Sequence, residues 1–320
     1  MTELVSPRTS PVPERPSAPS MRLAKFFGRN IRPLAELWQP RGAQLFALRQ
    51  CADAAGFIRL PRSAQVWPAQ ARSAEYGRVR GHWLRTDGAD PANGVLLHLH
   101  GGGFVFGSPR SHRALAFQLS KASGMPVFLP DYRRAPEHPY PAAPDDCLAA
   151  YRMLLDRGVP AERIRVVGDS AGGQLAAGLI ADLARVGLPM PNALALYSPM
   201  LDLTCAELDE LDRLIRDPFI PPVACRRVCA AYLRSVDSTD PRLDVLAAPK
   251  AGWPRTLIQA GGAECLRGDA ARMADSLRAA GISVELQVWP GQIHVFQTWA
   301  NLPEARSANR YTGDFLSATV

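Results

Sequence analysis

The sequence has 320 residues, of which 47% are hydrophobic and 21% are charged. A chain of this length and composition can bury a large core, which is typical of a folded, enzyme-sized domain. Its formal net charge is +7, but the basic residues are scattered between apolar runs, without zinc-finger spacing, an aromatic RNA-binding signature or a basic helical stripe. We therefore expect no nucleic-acid partner.

The cysteines and the apolar runs restrict the class of protein further. No two cysteines have the CxxC spacing, and six in 320 residues do not suggest a disulfide framework, so we expect small, buried thiols. No run of 18 apolar residues predicts a transmembrane helix, and the N-terminus lacks an apolar signal core. A cytoplasmic location is the resulting expectation.

The N-terminal segment divides into a tail and a helix. Residues 1–20 are rich in proline and serine and are predicted to form a disordered tail. Beyond them, Phe27, Ile31 and Leu34 recur near helical spacing among basic residues. Such a helix can lie on a membrane, but Pro33 limits its length and many surface helices share this pattern, so we expect it to pack on the protein body.

From residue 80 onward, short apolar segments alternate with segments of helical periodicity. The predicted strands are 94–100, 125–131, 164–169, 193–199, 256–262 and 283–290. The predicted helices are 112–123, 144–157, 171–186 and 270–281. This alternation predicts an α/β fold with a mostly parallel sheet covered by helices on both faces. Residues 204–240 interrupt the alternation and predict a helical insertion over the top of the sheet.

The segment VVGDSAGG (166–173) has the form G-x-S-x-G between a predicted strand and a predicted helix. A strand that turns sharply into a helix with Ser170 at the apex crowds the backbone, so Gly168 and Gly172 must be small. The N-terminus of the helix also favours negative charge that develops near Ser170. The pattern predicts Ser170 as a nucleophile, and the alternative is a tight strand–helix loop without a catalytic role.

A second glycine-rich segment, HGGG (100–103), follows the first of these predicted strands directly. Successive glycines expose backbone N–H groups, and acyl transfer requires such donors around the oxygen that becomes negative. The N–H groups of Gly102, Gly103 and Ala171 are the predicted donors of this oxyanion hole.

Two histidines near this loop raise a metal site as an alternative. No cysteine or acidic ligand lies near His98 and His100 in the sequence, so we expect no metal. Instead, His100 is expected to hydrogen-bond the glycine loop, and His98 is expected to pack in the sheet. Asp169, directly before the nucleophile, is expected to support the site.

The predicted base is a histidine near the C-terminus. In the order typical of α/β hydrolases, which carry a serine at this type of turn, the acid and then the histidine follow the serine along the chain. Only His294 follows Ser170, because the five other histidines precede it. His294 lies in a short loop after the last predicted strand, from which it can reach the C-terminal edge of the sheet.

Two carboxylates compete for the role of the acid. Glu264 immediately follows a predicted strand, whereas Asp269 directly precedes a predicted helix, where aspartate is a preferred N-cap. We therefore predict Glu264 as the acid that orients His294 and Asp269 as a helix cap. Asp269 is the alternative acid.

Four separated segments together resemble the hormone-sensitive-lipase-type carboxylesterases of the α/β-hydrolase superfamily, namely HGGGFVFGS, DYRRAPEHPYPAAPDD, GDSAGG and GQIHVF. The resemblance covers roughly residues 75–300 and implies an α/β-hydrolase fold with a Ser-Asp/Glu-His triad and no cofactor. The family usually has Asp-Pro-Leu where this chain has Glu-Cys-Leu, at residues 264–266. Glutamate thus replaces aspartate, and cysteine replaces proline.

The resemblance also implies a helical cap with two parts, the N-terminal helices and an insertion after the sixth strand. Residues 21–65 match the N-terminal cap helices, and residues 204–240 match the cap insertion. Residues 66–203 and 241–320 then form the catalytic domain.

These features predict a serine carboxylesterase that hydrolyses short-to-medium acyl esters through an acyl-enzyme, with a small-molecule ester as its substrate. The alternatives are a lactone hydrolase with the same triad, an amidase or deacetylase, and a catalytically silent ligand-binding relative. Because members of this family often associate as dimers, a homodimer is a further expectation.

Overall fold

The computed structural model describes residues 11–39, 41–55, 60–61, 63–73, 75, 77–234, 236 and 240–318. Their helices are α1 (Ala18–Phe26), α2 (Arg32–Leu37), α3 (Gly42–Ala55), α4 (Arg113–Ser123), α5 (Ala142–Asp156), α6 (Ala171–Val186), α7 (Leu208–Ile215), α8 (Pro222–Tyr232), α9 (Arg267–Ala279) and α10 (Pro303–Ser317). Their strands are β1 (Ala64–Ser73), β2 (Gly77–Thr86), β3 (Val95–Leu99), β4 (Val127–Pro130), β5 (Ile164–Asp169), β6 (Ala193–Tyr197), β7 (Arg255–Gly261) and β8 (Val284–Trp289). A π-helical segment, Phe27–Ile31, joins α1 to α2.

In the described part of the chain, eight strands form one sheet in the order β1-β2-β4-β3-β5-β6-β7-β8. The pairs from β4 to β8 are parallel, and β2 is antiparallel to both β1 and β4. Because parallel strands end at the same edge, the loops after β3, β5, β7 and β8 meet there. The predicted α/β-hydrolase fold with a mostly parallel sheet is confirmed.

The sheet separates two apolar cores. Alternate residues of a strand point to opposite faces, so Leu97 and Leu99 pack on one side while Leu96 packs on the other. Helices α5, α6 and α9 cover the first face, and α4 and α10 cover the second. The central strands β3, β5 and β6 are buried along their whole length, which explains their continuous apolar runs.

The tail predicted for residues 1–20 is wrong at its C-terminal end. Ser17 caps α1, and its backbone N–H donates to Glu304 Oε1 at 2.6 Å. The Ser17 and Ser20 hydroxyls donate to Glu304 Oε2 at 3.0 and 2.9 Å. A buried carboxylate on α10 thus holds these serines in place, although the Pro- and Ser-rich composition of their segment is typical of disorder. Residues 1–10 of the predicted tail lie outside the described residues.

The two predicted parts of the cap contact each other. The Arg32 guanidinium on α2 binds both carboxylate oxygens of Asp212 on α7 at 2.7 Å. The ring of Phe27 packs edge-on against Phe219, with the centroids 4.6 Å apart. The predicted packing of the N-terminal helix is correct for buried Phe27 but wrong for Leu34, which is 64% exposed.

Candidate active site

The predicted nucleophile lies at a sharp turn between β5 and α6. Ser170 has φ +55° and ψ −123°, which is a conformation that side-chain-bearing residues rarely adopt. A Cβ on Gly168 would lie 2.2 Å from Gly172 O, and a Cβ on Gly172 would lie 2.0 Å from Leu99 O. The turn therefore tolerates only glycine at both positions.

Gly172→Ala is expected to lower the free energy of unfolding by about 1–3 kcal/mol or more, because backbone atoms of β3 cannot move away from the new methyl group. Gly178→Ala in the same helix is the matched control, since its Cβ would meet nothing closer than Val245 Cγ1 at 3.7 Å. Urea denaturation of both variants measures the difference. Equal free energies of unfolding for the two variants would show that the turn at Ser170 is not crowded.

A chain of hydrogen bonds connects three side chains at the carboxyl edge of the sheet. Ser170 Oγ lies 2.9 Å from His294 Nε2, and His294 Nδ1 lies 2.6 Å from Glu264 Oε2. The second carboxylate oxygen of Glu264 accepts the Gly261 N–H at 2.7 Å. Glu264 is fully buried and His294 is 5% exposed, so the carboxylate has a fixed orientation and little contact with water.

The pKa of His294 follows from these neighbours. Burial of the ring opposes its charging, but the hydrogen bond and the negative charge of Glu264 outweigh burial. Together they raise the pKa of His294 above its ordinary value of 6.5.

Asp269 does not cap α9, so that prediction is wrong. The helix begins two residues earlier, and Asp269 lies within its first turn. Its Oδ2 accepts the N–H groups of Leu201 and Asp202 at 2.7 and 2.9 Å, and its Oδ1 pairs with Arg272 at 2.7 Å. The loop after β6 has backbone donors that this carboxylate satisfies. The structure thus brings Glu264, and not Asp269, to His294.

The glycine loop after β3 presents free backbone donors beside the serine. Gly102 and Gly103 have φ angles of +117° and +58°, a region of backbone conformation that favours glycine. Among the described residues, the N–H groups of Gly102, Gly103 and Ala171 donate to no protein acceptor. Gly102 and Gly103 line the same cavity as Ser170. Within the described part of the chain, the three predicted donors therefore have no competing protein acceptor.

His100 lies within this loop and is fully buried. Its Nδ1 lies 2.8 Å from Gly101 O, and its carbonyl accepts the Tyr132 hydroxyl at 2.6 Å. Burial and the nearby His112 lower the pKa of His100 well below 6.5, so the ring is neutral. His100 therefore supports the loop without carrying charge.

Asp169 connects the glycine loop to the serine turn. Its carboxylate lies 3.0 Å from His98 Nε2 and 3.3 Å from His112 Nε2, and it accepts the Gly101 N–H at 3.1 Å. Burial opposes ionisation, but the two histidines outweigh it and hold the pKa of Asp169 far below 3.8. The prediction that His98 merely packs in the sheet missed this contact. No sequence pattern indicates that His112 belongs to the same cluster.

Comparisons with known proteins show which proteins this chain is similar to. A model of the alpha/beta hydrolase fold family matches residues 96–298. An acetyl-hydrolase from Streptomyces hygroscopicus is 35% identical over 293 residues, which cover 89% of this chain and 94% of that protein. Carboxylesterase/phospholipase LipF from Mycobacterium tuberculosis is 35% identical over 325 residues, which cover 96% of this chain and 84% of that protein.

A crystal structure of an esterase from the bacterial hormone-sensitive lipase family superimposes with a TM-score of 0.83 at 32% sequence identity. The match covers 94% of this chain and 98% of the esterase. The chain belongs to the hormone-sensitive lipase family of α/β hydrolases. The resemblance inferred from the four segments is confirmed.

The hydrolase has a cavity of about 520 Å³ above the serine. Ser170, His294 and the two glycines of the loop lie at its base. Much of its wall comes from the predicted cap, namely Ile31, Leu34, Ala35, Trp38 and Leu48 of its N-terminal part and Phe219, Ile220, Ala224, Cys225 and Val228 of its insertion. A mostly apolar cavity of this size is typical of a small-molecule site.

Three further observations concern possible metal ligands, membrane-spanning helices and the cysteines. Among the described residues, no group of three or more histidine, cysteine, aspartate or glutamate side chains is arranged to hold a metal ion. No helix in the described part of the chain is both long enough and apolar enough to span a membrane. Five cysteines are buried, as expected, but Cys51 is exposed.

Proposed function

We propose that this carboxylic ester hydrolase cleaves short-to-medium acyl esters through a triad of Ser170, His294 and Glu264. The observation that carries the proposal is the continuous chain of hydrogen bonds from Glu264 through His294 to Ser170, at 2.6 and 2.9 Å, at the base of an apolar cavity. Nucleophile and base within hydrogen-bond reach, with a third group orienting the base, are the requirements of nucleophilic acyl transfer.

In the proposed acylation step, Ser170 Oγ attacks the ester carbonyl carbon while His294 Nε2 takes the hydroxyl proton. Glu264 holds Nδ1 protonated, so that Nε2 carries the free electron pair, and it stabilises the imidazolium that forms. His294 then gives its proton to the departing alcohol, which leaves the acyl group on Ser170. Water releases the acyl group by the same route, with His294 again removing the proton.

The tetrahedral intermediate places a negative oxygen near the loop after β3. The free N–H groups of Gly102, Gly103 and Ala171 are the proposed donors to this oxygen. Each such donor lowers the barrier by roughly 2.7–4 kcal/mol when it is preorganised in a site that excludes water. The contacts of Asp169 with Gly101 and with the two histidines support this preorganisation.

The cavity supports the proposed acyl range. Its volume of about 520 Å³ must hold both sides of the ester, and its walls offer apolar side chains to an acyl chain. An uncharged substrate fits these walls better than an ionic one, because a charge buried among them would lose its hydration. The relative named acetyl-hydrolase is consistent with a short acyl group.

Two measurements test the proposal. An organophosphate probe should label one residue per chain, and peptide mapping should place it on Ser170. Turnover of p-nitrophenyl esters from acetyl to dodecanoyl, with lactones in the same series, should be highest for the shorter acyl chains. A folded protein that binds ligands but never labels would be a binding relative, and faster turnover of lactones would indicate a lactone hydrolase.

The pH dependence of kcat/KM is a further prediction. The base works only when His294 is neutral, so activity should fall as the pH drops through the pKa of that ring. Because that pKa is raised, the acid limb of the profile is expected above pH 6.5. A profile measured in buffers of constant ionic strength checks this, and an acid limb well below pH 6.5 would contradict the proposed pairing with Glu264.

A further inference from the structure

A buried carboxylate in the cap insertion contacts the loop that carries the proposed acid. Asp217 lies between α7 and α8 and is fully buried. Its Oδ1 accepts the N–H groups of Phe219 and Ile220 at 2.8 and 3.0 Å. Its Oδ2 accepts the N–H of Cys265 at 2.9 Å. The Asp217 side chain therefore binds two residues of the cavity wall and also Cys265, which lies outside the insertion.

The Cys265 N–H belongs to the peptide group that joins Cys265 to Glu264. Because a peptide group is planar, fixing its N–H also fixes the carbonyl side of Glu264. The Glu264 carboxylate is held from the other direction by the Gly261 N–H at 2.7 Å. The backbone and the side chain of Glu264 thus each have one anchor, and the remaining carboxylate oxygen points at His294 Nδ1.

This contact requires the departure from the Asp-Pro-Leu sequence at residues 264–266. A proline at position 265 has no N–H and cannot donate to Asp217. It would leave one oxygen of a buried carboxylate without this donor, which is unfavourable. The cysteine in this chain supplies the donor, while its thiol group contacts the Ile220 carbonyl at 3.5 Å.

The N-terminal cap holds Asp217 from the opposite side. The Asp217 N–H donates to Asp212 Oδ1 at 2.9 Å, and the Asp217 carbonyl accepts from Arg32. Arg32 also binds both oxygens of Asp212 and is almost fully buried. A continuous polar network therefore runs from α2 through the insertion to the Glu264 loop.

We infer that Asp217 is a positioning residue that holds Glu264 against His294 through the Cys265 N–H and so couples cap placement to catalysis. The inference rests on the proposed function, since it concerns the acid of the proposed triad. Asp217 does not touch the substrate or the reacting atoms in this role. Its effect should therefore appear in kcat, whereas its contacts with Phe219 and Ile220 should affect KM.

Two independent variants remove the contact from its two ends. In Asp217→Asn, the remaining oxygen can still accept from Phe219 and Ile220, but the amide nitrogen cannot accept from Cys265. Cys265→Pro removes the donor and leaves Asp217 unchanged. Each is expected to lower kcat about 10- to 100-fold, the size of the effect when a catalytic group is displaced by about 1 Å.

Matched variants separate this effect from general damage to the fold. Cys265→Ala removes the thiol but retains the N–H, so its kcat should exceed that of Cys265→Pro about 10- to 100-fold. Asp244→Asn is the control for Asp217→Asn, because Asp244 accepts the Ala247 N–H at 3.0 Å in an exposed turn away from the site. Circular dichroism and thermal unfolding show which variants are folded. If only one of Asp217→Asn and Cys265→Pro folds, its kcat alone tests the inference.

The double variant Asp217→Asn/Cys265→Pro completes a cycle. If both changes remove the same contact, the kcat of the double variant should equal that of the less active single variant. Independent changes would instead multiply the two single losses in kcat. Additive losses, or single variants that retain wild-type kcat while Ser170→Ala is inactive, would overturn this inference and leave the proposed function intact. Wild-type turnover by Ser170→Ala would overturn both.

Discussion

Ser170→Ala is expected to lower kcat for ester hydrolysis by about 10⁶-fold, the loss seen when the nucleophile of a serine triad is removed. Without the hydroxyl, no acyl-enzyme can form, and His294 has no proton to take from position 170. The free N–H groups around the cavity remain, so a residual rate above that of water should persist. Initial rates with a p-nitrophenyl ester at high enzyme concentration measure this loss.

Ser123→Ala is the control for this substitution. Ser123 is a buried serine on α4 whose hydroxyl donates to the Leu119 carbonyl at 2.8 Å, and it does not line the cavity. It should retain wild-type kcat, which shows that loss of a buried hydroxyl alone does not inactivate the protein. If Ser170→Ala also retained turnover, Ser170 would not be the nucleophile.

Glu264→Gln is expected to lower kcat about 10⁴-fold, as for the acid of comparable triads. The amide can donate to Nδ1 and thereby stabilise the tautomer in which Nε2 is protonated. That tautomer cannot accept the Ser170 proton, although the geometry of the site is preserved. The change is measured as kcat at a pH above the acid limb of the profile.

Asp269→Asn is the matched comparison, since it changes a second buried carboxylate in the same segment. Its remaining oxygen can still accept from the loop after β6, so only the pairing with partly exposed Arg272 is lost. We expect kcat close to that of the wild type and a stability loss of about 1.5–3 kcal/mol, the range for a hydrogen bond to a charged group. A variant that stays folded but loses turnover would reverse the assignment of the acid.

The six parallel strands were predictable because each is a short apolar run between helical segments. The antiparallel hairpin of β1 and β2 was not, since most of β1 is exposed and its sequence mixes arginine, glutamine and proline. Helix α10 was also missed. Its Gly313 packs against the backbone of Ala122, and its Glu304 is buried on serines near the N-terminus, so neither residue gives an apolar period.

The residues that the structure brings together in the candidate site could be predicted only from chain order and local motifs. Ser170 and His294 follow from the crowded turn and from the only histidine after it, and Glu264 follows from its place after β7. Contacts between distant segments left no local pattern. The hydrogen bond between Asp217 and Cys265 spans 48 residues. The Asp269 carboxylate accepts N–H groups of a loop that lies 67 and 68 residues away.

The junction between Arg32 and Asp212 has a consequence for exchanging substrate preference between relatives. Part of the cavity wall comes from two segments that are far apart in the sequence, and the Arg32 and Asp212 charges on these segments pair with each other. Transplanting either segment alone would leave a buried arginine or aspartate facing a foreign surface, which costs several kcal/mol. Chimaeric enzymes should therefore take residues 18–37 and 204–232 from the same parent. A single crossover cannot exchange both segments without also exchanging the residues between them.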